Sequence, residues 1–498
     1  MSRGGSYLAF DLGAESGRAI LGQIDEAKLT LTEVHRFANT PVLIPTAPGQ
    51  QTLHWDAPAL WREIKTGLAA AAAQPGQIRS MGLDTWGVDF GLLDRNGALL
   101  ANPVHYRDSR TDGMMEAAFE RVPQAEIFAQ TGIQFMQLNS LYQLLALVRS
   151  QSPLLDVAET FLTMPDLFNY WLTGRKAAEF TNATTTQCYN PLQRDWAHPM
   201  LEKLGIPTAL FPEVVQPGSV LGPLRSEIAA EVSASGITVV TPACHDTGSA
   251  VAAVPASGED FVWISSGTWS ILGVEVNEAV VNAQALTYNL TNEGGVNGTY
   301  RLCKNVMGMW PIQESLRVWS RAGQNYSYAD LAPLAQQAAP LRFLIDPDHD
   351  DFLKPGDMPA RIRAFCRRTG QGEPESHAQI VRCVLESLAL KYRLVLENLE
   401  ALLGRPLQPI HIVGGGSQNA LLNQFTADAT GKQVITGPVE ATATGNILVQ
   451  ALALGDLSSL QEGRALVRRT TDLGVYEPGA RAPWDQAFGR FKAMIGAA

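Results

Sequence analysis

One local pattern occurs twice in this 498-residue chain and constrains the fold more than any other feature. A short apolar strand, Tyr7–Leu12, enters a small-residue turn at Gly13–Gly17 and leaves as a second strand, Arg18–Ile24. A third strand follows at Leu29–Phe37. After the linker-like cluster Val254-Pro255-Ala256-Ser257-Gly258 the pattern returns, with strand Phe261–Ser265, turn Ser266-Gly267-Thr268 and strand Trp269–Val274. Helical stretches follow the ribbon in each half. The first half has one starting at the candidate N-cap Asp56, then Leu138–Leu147 and Leu167–Leu172, with Thr- and Asn-rich loops around Thr181–Thr186. The second half has strand Ile410–Val413, three glycines and a helix over Ser417–Thr430. Strands followed by helices, twice over, predict two α/β domains, 1–254 and 255–498, with a cleft between them. The last helical stretch, Trp484–Ile495, fits equally on the second domain or crossing back to the first.

Composition narrows the function classes. Hydrophobic residues at 46% and charged residues at 17% describe a well-buried globular chain and exclude a disordered one. The net charge of −11 argues against nucleic-acid or anionic-membrane partners, and any phosphate ligand needs local positive potential against that field. No apolar run approaches the ~20 residues a bilayer-spanning helix needs, and MSRGGSYLAFDLG is not a secretory leader. Five cysteines without CxxC, and no HExxH, suggest neither a disulfide framework nor a metal knuckle. The expectation is a cytoplasmic protein, monomeric or weakly self-associating, with a small-molecule substrate.

Five stretches can carry chemistry. In DLGAESGR, Asp11–Arg18, a tight turn exposes backbone N–H groups that can cradle a phosphate. Arg18 adds a guanidinium fork, and Asp11 can hold magnesium through its waters. The alternative is an ordinary hairpin. ISSGTW, Ile264–Trp269, can face the phosphates from the other half, or be only a turn. In GGGSQN, Gly414–Asn419, glycines between strand and helix let a planar ligand lie against the backbone. It is not G-x-G-x-x-G, and an ordinary βα loop is the alternative. In ACHDTGSA, Ala243–Ala250, Asp246 is either a general base for a substrate hydroxyl or a helix N-cap, and His245 is an orienting or packing group rather than the base. Finally, Asp84-Thr85-Trp86-Gly87-Val88-Asp89 offers an aromatic and two carboxylates to a polyol, or a buried Trp to the core.

Together with GLDTWGVDFGLLD, YRDSRT, MPDLFNYWLTG, TNATTTQ, LTNEGG, KNVMGMW and GPVEATATGNI, these stretches resemble the FGGY carbohydrate kinases of the actin/hexokinase/Hsp70-like superfamily, in order, over residues 7–455. The resemblance implies two RNase H-like (actin-like ATPase) domains with an interdomain active-site cleft. It implies ATP- and magnesium-dependent phosphorylation of a ketose, narrowed by the DTWGVDF, YRDSRT, TNATTTQ and KNVMGMW segments to L-rhamnulose at its 1-hydroxyl. Another ketose, L-fuculose or xylulose, is the alternative, and a nucleotide-dependent switch a more distant one. Carried over by position, it implies ATP contacts at Ala14, Glu15, Ser16, Gly17, Arg18, Thr268, Gln313 and Gly415. Sugar contacts fall at Gly87, His245, Asp246, Thr247 and Asn305, with Asp246 the proton acceptor and Asp11 on the metal side. Glu15 departs from the small hydroxyl residue usual in the phosphate loop. Cys366 and Cys383 match a position where a pair can occur, with the reduced form expected in a cytoplasmic setting.

Overall fold

The computed structural model describes residues 5–25, 28–47 and 49–496. The chain forms two compact units, neither a single stretch of sequence. The first comprises Met1–Ala253, Glu275–Leu302 and Ala441–Thr470; the second comprises Val254–Val274, Cys303–Glu440 and Thr471–Ala498. A division at 254/255 therefore leaves two later segments, Glu275–Leu302 and Ala441–Thr470, that the first unit incorporates.

The sheet of the first unit has the spatial order Val220–Pro223, Thr238–Val240, Ile78–Thr85, Gly5–Leu12, Ser16–Ile24, Leu29–Ala38. Gly5–Leu12 is antiparallel to Ser16–Ile24, which is antiparallel to Leu29–Ala38; Ile78–Thr85 runs parallel to Gly5–Leu12, and Thr238–Val240 parallel to Ile78–Thr85. Every residue of Gly5–Leu12 is buried, as expected of a central strand covered on both faces. Its alternation sorts the two covers. Leu8, Phe10 and Leu12 pack with Leu60, Ile64 and Leu68 of the helix Ala57–Ala72. Tyr7 and Ala9 pack with Ala443, Ile447 and Ala451 of the helix Ala441–Ala453. The first of these helices starts as the sequence suggests: the Asp56 carboxylate accepts from Ala59 N at 3.1 Å, with Pro58 in the first turn.

The seven-stranded sheet that enters the second unit has the order Thr291–Gly294, Tyr300–Met307, Trp269–Val276, Val262–Ser266, Ile410–Val413, Val434–Thr436, Gly474–Tyr476; its first strand lies in the first unit, and the next two begin or end there. The hairpin strands are antiparallel, the next two run parallel to Val262–Ser266, and the edge strand is antiparallel again. Both sheets share a core in which the first strand lies between its antiparallel hairpin partner and a later parallel strand, the RNase H-like arrangement; in chain order the first sheet as a whole runs third-second-first-fourth-sixth-fifth. The 27-residue helix His377–Leu403 starts in a Ser376/Gln379 capping box and ends at Gly404 in the left-handed conformation. The terminal helix, Ala482–Ile495, packs on this second unit: Asp485 pairs with Arg393 at 2.7 Å, Phe488 lies 4.1 Å beneath the Arg393 guanidinium, and Trp484 meets Phe425.

Two local expectations are corrected. Phe180–Thr185 is a buried helix, not a loop. Thr and Asn are weak helix formers, but the Glu179 carboxylate caps the first turn, and the hydroxyls of Thr184, Thr185 and Thr186 bond back to carbonyls three residues earlier. The helix expected over Ser417–Thr430 divides into a 3₁₀ turn, Gly415–Gln418, and a helix, Ala420–Thr430, whose cap is the Asn419 side chain accepting from Leu422 N. Cys188, Cys244, Cys303, Cys366 and Cys383 are buried free thiols. Cys366 and Cys383 lie next to each other in the core.

Candidate active site

The strand register of the first unit sets three acids in a row. Asp11 stands opposite Arg18 across the hairpin and opposite Asp84 across the parallel pair. At the end of that neighbouring strand Thr85 bridges to His245, and Thr85 N donates to Cys244 O at 2.9 Å, so Asp246 leaves the same edge of the sheet. Carboxyl ends of parallel strands are where open α/β sheets bind ligands. The Arg18 guanidinium lies 2.5 Å from Asp11. Asp84 is fully buried and accepts from Asn446 Nδ2 at 2.6 Å; burial first, and then the Asp11 charge, push its carboxyl well above the usual range. Asp11, Asp84 and Asp246 thus stand at one end of the sheet, although among the described residues no three acidic, histidine or cysteine side chains are grouped closely enough to ligate a metal ion together.

Between Asp11 and Arg18 the chain turns tightly. Gly13 N donates to Ser16 O at 2.9 Å, and Asn39 holds the loop from outside through Glu15 O and Gly13 O. Ala14, Glu15 and Ser16 thereby sit at the loop tip. Glu15 is exposed there, so its carboxylate has room to turn away from a phosphate.

Asp246 is the first residue of the helix Asp246–Ala252; the N-cap position belongs to His245. Its carboxylate accepts from Thr247 N at 2.5 Å and Thr247 Oγ1 at 3.2 Å, with 32% of the side chain still exposed. Desolvation pushes its pKa up; His245 opposes this and Asp11 adds to it. His245 is locked from behind. Arg301 Nη2 lies 3.0 Å from His245 Nδ1, and a guanidinium can only donate, so Nδ1 carries the lone pair and Nε2 the proton. That N–H faces the Asp246 carboxylate, 3.4 Å away. Arg301, fully buried, is itself fixed by Glu293 at 3.1 Å and Gly294 O at 2.8 Å. The sequence reading had His245 as an orienting group but missed Arg301 and Glu293. Glu293 falls in the LTNEGG segment, nearly fifty residues along the chain, whereas Arg301 lies in none of the stretches singled out.

The Trp86 stretch resolves toward the core. Trp86 is buried against Trp55, ring centroids 4.2 Å apart, and both indole N–H groups donate to Asp89 Oδ2, at 2.6 Å from Trp55 and 3.0 Å from Trp86. Tyr106 N donates to the same oxygen, and Gln143 Nε2 reaches Oδ1 at 3.0 Å. Asp89 is thus a buried hub that rigidifies the wall, its carboxyl raised by burial to about 6. Gly87 stays half-buried beside this hub, where a Cβ would meet Thr185 at about 3 Å.

The expected nucleotide residues of the second unit gather at one end of Val262–Ser266. Thr268 O accepts from Trp310 N, the start of the helix Trp310–Arg321 whose first turn carries Gln313. On the other side Gly416 is forced: a Cβ there would lie 2.0 Å from Ser266 Oγ. Gly415 faces open space, so a flat ring can lie on the backbone. Asn305 lies on Tyr300–Met307 next to Lys304, whose ammonium burial lowers to about 8.

The profile of the "FGGY family of carbohydrate kinases, N-terminal domain" matches residues 6–253, and that of the C-terminal domain matches residues 262–454. The chain is 45% identical to a rhamnulokinase of Bacteroides thetaiotaomicron over 98% of this chain and 99% of that one. It is 42% identical to a rhamnulokinase of Oceanobacillus iheyensis, over 94% and 97%. The fold is that of a xylulose kinase from Lactobacillus acidophilus, with a TM-score of 0.78 at 17% identity over 99% and 98% of the two chains. A glycerol kinase from Plasmodium falciparum gives 0.76 at 16%, over 99% and 98%. With two sheets of like core, a strand-end row of acids and both family profiles in sequence, the chain belongs to the FGGY family of carbohydrate kinases.

Proposed function

We propose that the protein transfers the γ-phosphoryl group of ATP to the 1-hydroxyl of L-rhamnulose, giving ADP and L-rhamnulose 1-phosphate in L-rhamnose catabolism. The relatives named above, at 42–45% identity over nearly the whole chain, support this substrate. The observation that carries the chemistry is Asp246: a partly exposed carboxylate at a strand-end helix start, faced by a histidine whose tautomer Arg301 fixes.

Phosphoryl transfer proceeds through a loose transition state, so positioning and charge neutralisation dominate. Asp246 accepts the proton of the sugar hydroxyl late, as that oxygen bonds to phosphorus and ADP departs; its raised proton affinity suits an acceptor. His245, Thr247, Gly87 and Asn305 hold the sugar. Ala14, Glu15, Ser16, Gly17 and Arg18 from the first unit, and Thr268, Gln313 and Gly415 from the second, hold the nucleotide. Asp11 would hold magnesium through the ion's waters, and the bound ion would neutralise phosphate charge. The protein acts in the cytoplasm, as a monomer or weak homo-oligomer; no described helix is long and apolar enough to cross a membrane.

The test is ADP release coupled to a dye across a ketose panel, with and without magnesium. L-Rhamnulose should give the highest kcat/KM, and activity should vanish with chelator. L-Fuculose or xylulose turning over faster would replace the substrate assignment, and sugar-independent ADP release would replace the kinase reading with a nucleotide switch.

A further inference from the structure

The two peptide groups that precede Asp246 are held by a buried side-chain relay from a distant part of the first unit. Glu179 is fully buried at the start of the helix Phe180–Thr185. Its Oε2 accepts from Thr181 Oγ1 at 2.6 Å, from Asn182 N at 3.1 Å, and from Cys244 N at 3.1 Å. Thr181 has one hydroxyl proton, and Glu179 takes it, so its lone pair is left to accept from His245 N, which it does at 3.1 Å. Glu179 is itself seated: its backbone N donates to Asp166, which Thr163 Oγ1 holds at 2.5 Å. Capping the Phe180–Thr185 helix needs only the Asn182 contact. The bonds to Cys244 N and, through Thr181, to His245 N serve a different segment, the one that aims Asp246.

We propose that Glu179 and Thr181 are positioning residues of the phosphoryl transfer: they fix the Cys244–His245 backbone and so the direction of the Asp246 carboxylate. This rests on the reading of Asp246 as proton acceptor. Buried hydrogen bonds hold their partners in one geometry, and displacing a reacting group by about 1 Å costs on the order of 10²-fold in rate. The relay therefore acts on kcat, while residues that touch sugar or nucleotide act on KM.

Thr181→Val is the informative variant, because it keeps the shape of the side chain and removes the hydroxyl. Expected is a fall in kcat of about 10- to 100-fold, with KM for sugar and ATP within about twofold of wild type. Thr181→Ser, which restores the hydroxyl, should recover kcat to within a few-fold, and Glu179→Gln, which keeps an acceptor without charge, should fall between. Wild-type kcat in Thr181→Val overturns the inference, as does a Thr181→Ser variant no better than Thr181→Val, or a loss confined to KM. If Thr181→Val does not fold, Glu179→Gln against Thr181→Ser decides alone: equal, wild-type kcat in both is the negative result. Asp246→Asn, run alongside, separates the two levels. If it is inactive while Thr181→Val is fully active, only the relay fails; if it is active, the acceptor reading fails.

Discussion

At the scale of single residues, the site depends on polar groups whose partners leave them no freedom. Asp246→Asn keeps shape and backbone bonds but removes the proton acceptor, so kcat should fall about 10²- to 10⁴-fold while nucleotide affinity, read by fluorescence titration, stays unchanged. Asp89 is a structural counterpart. All four of its neighbours donate to it, from Trp55, Trp86, Tyr106 N and Gln143. Asparagine would turn an N–H₂ toward donors, and Asp89→Asn should cost about 1–3 kcal/mol in urea unfolding and raise the sugar KM. The cost depends on pH. The folded carboxyl is raised to about 6, so the native state holds its proton more tightly than the unfolded chain does. That contribution is complete below about pH 4 and is lost as pH rises through about 6, so the gap between wild type and variant should shrink between pH 4.5 and 7.5, by at most about 3 kcal/mol. A gap that widens with pH would show the carboxylate form to be the one the fold prefers. The adjacency of His245 and Asp246 was legible in the sequence. The tautomer was not, since it is set by a donor more than fifty residues along the chain.

At the scale of elements, turn chemistry and capping were legible because they act within a few residues: Asp56 starts its helix, and both ribbon turns lie between the strands expected. The Thr/Asn-rich helix was not legible, because its stability comes from the burial that surrounds it. Helix contacts belong with it. Gly445 lies where the helix Ala441–Ala453 meets the helix Asp246–Ala252, and a Cβ there would stand 1.8 Å from Ser249 O. Since backbone cannot rotate aside, Gly445→Ala must push the two helices apart, at a cost of about 1–3 kcal/mol or somewhat more, read as a lower Tm. Because the displaced helix begins at Asp246, kcat should fall with it. An unchanged Tm would mean the helices have slack that the geometry denies.

At the scale of the whole molecule, two sheets with a like core each begin with a hairpin, and the expected nucleotide residues Ala14–Arg18 and Thr268 fall at the turns of those hairpins. ATP with magnesium should raise Tm in proportion to RT ln(1 + [L]/Kd), about 2.7 kcal/mol at a hundredfold excess over Kd, and chelation should remove most of the gain. Asp246→Asn should show the same shift as wild type, since it lies on the acceptor side. A variant that lost the shift would place Asp246 among the phosphate contacts instead.

What the sequence determined by itself was local or repeated. Alternating apolar residues fixed which strands exist, glycine-rich turns fixed where they reverse, and the motif order fixed the family, because each of these is written in neighbouring residues. What only the tertiary structure decided was which distant groups share a buried space: Arg301 behind His245, Glu179 and Thr181 beneath the Asp246 turn, two tryptophans on Asp89, and a late helix closing the first sheet. Such pairings are selected by the cost of leaving a buried polar group unsatisfied, and that cost arises only once folding has removed the water.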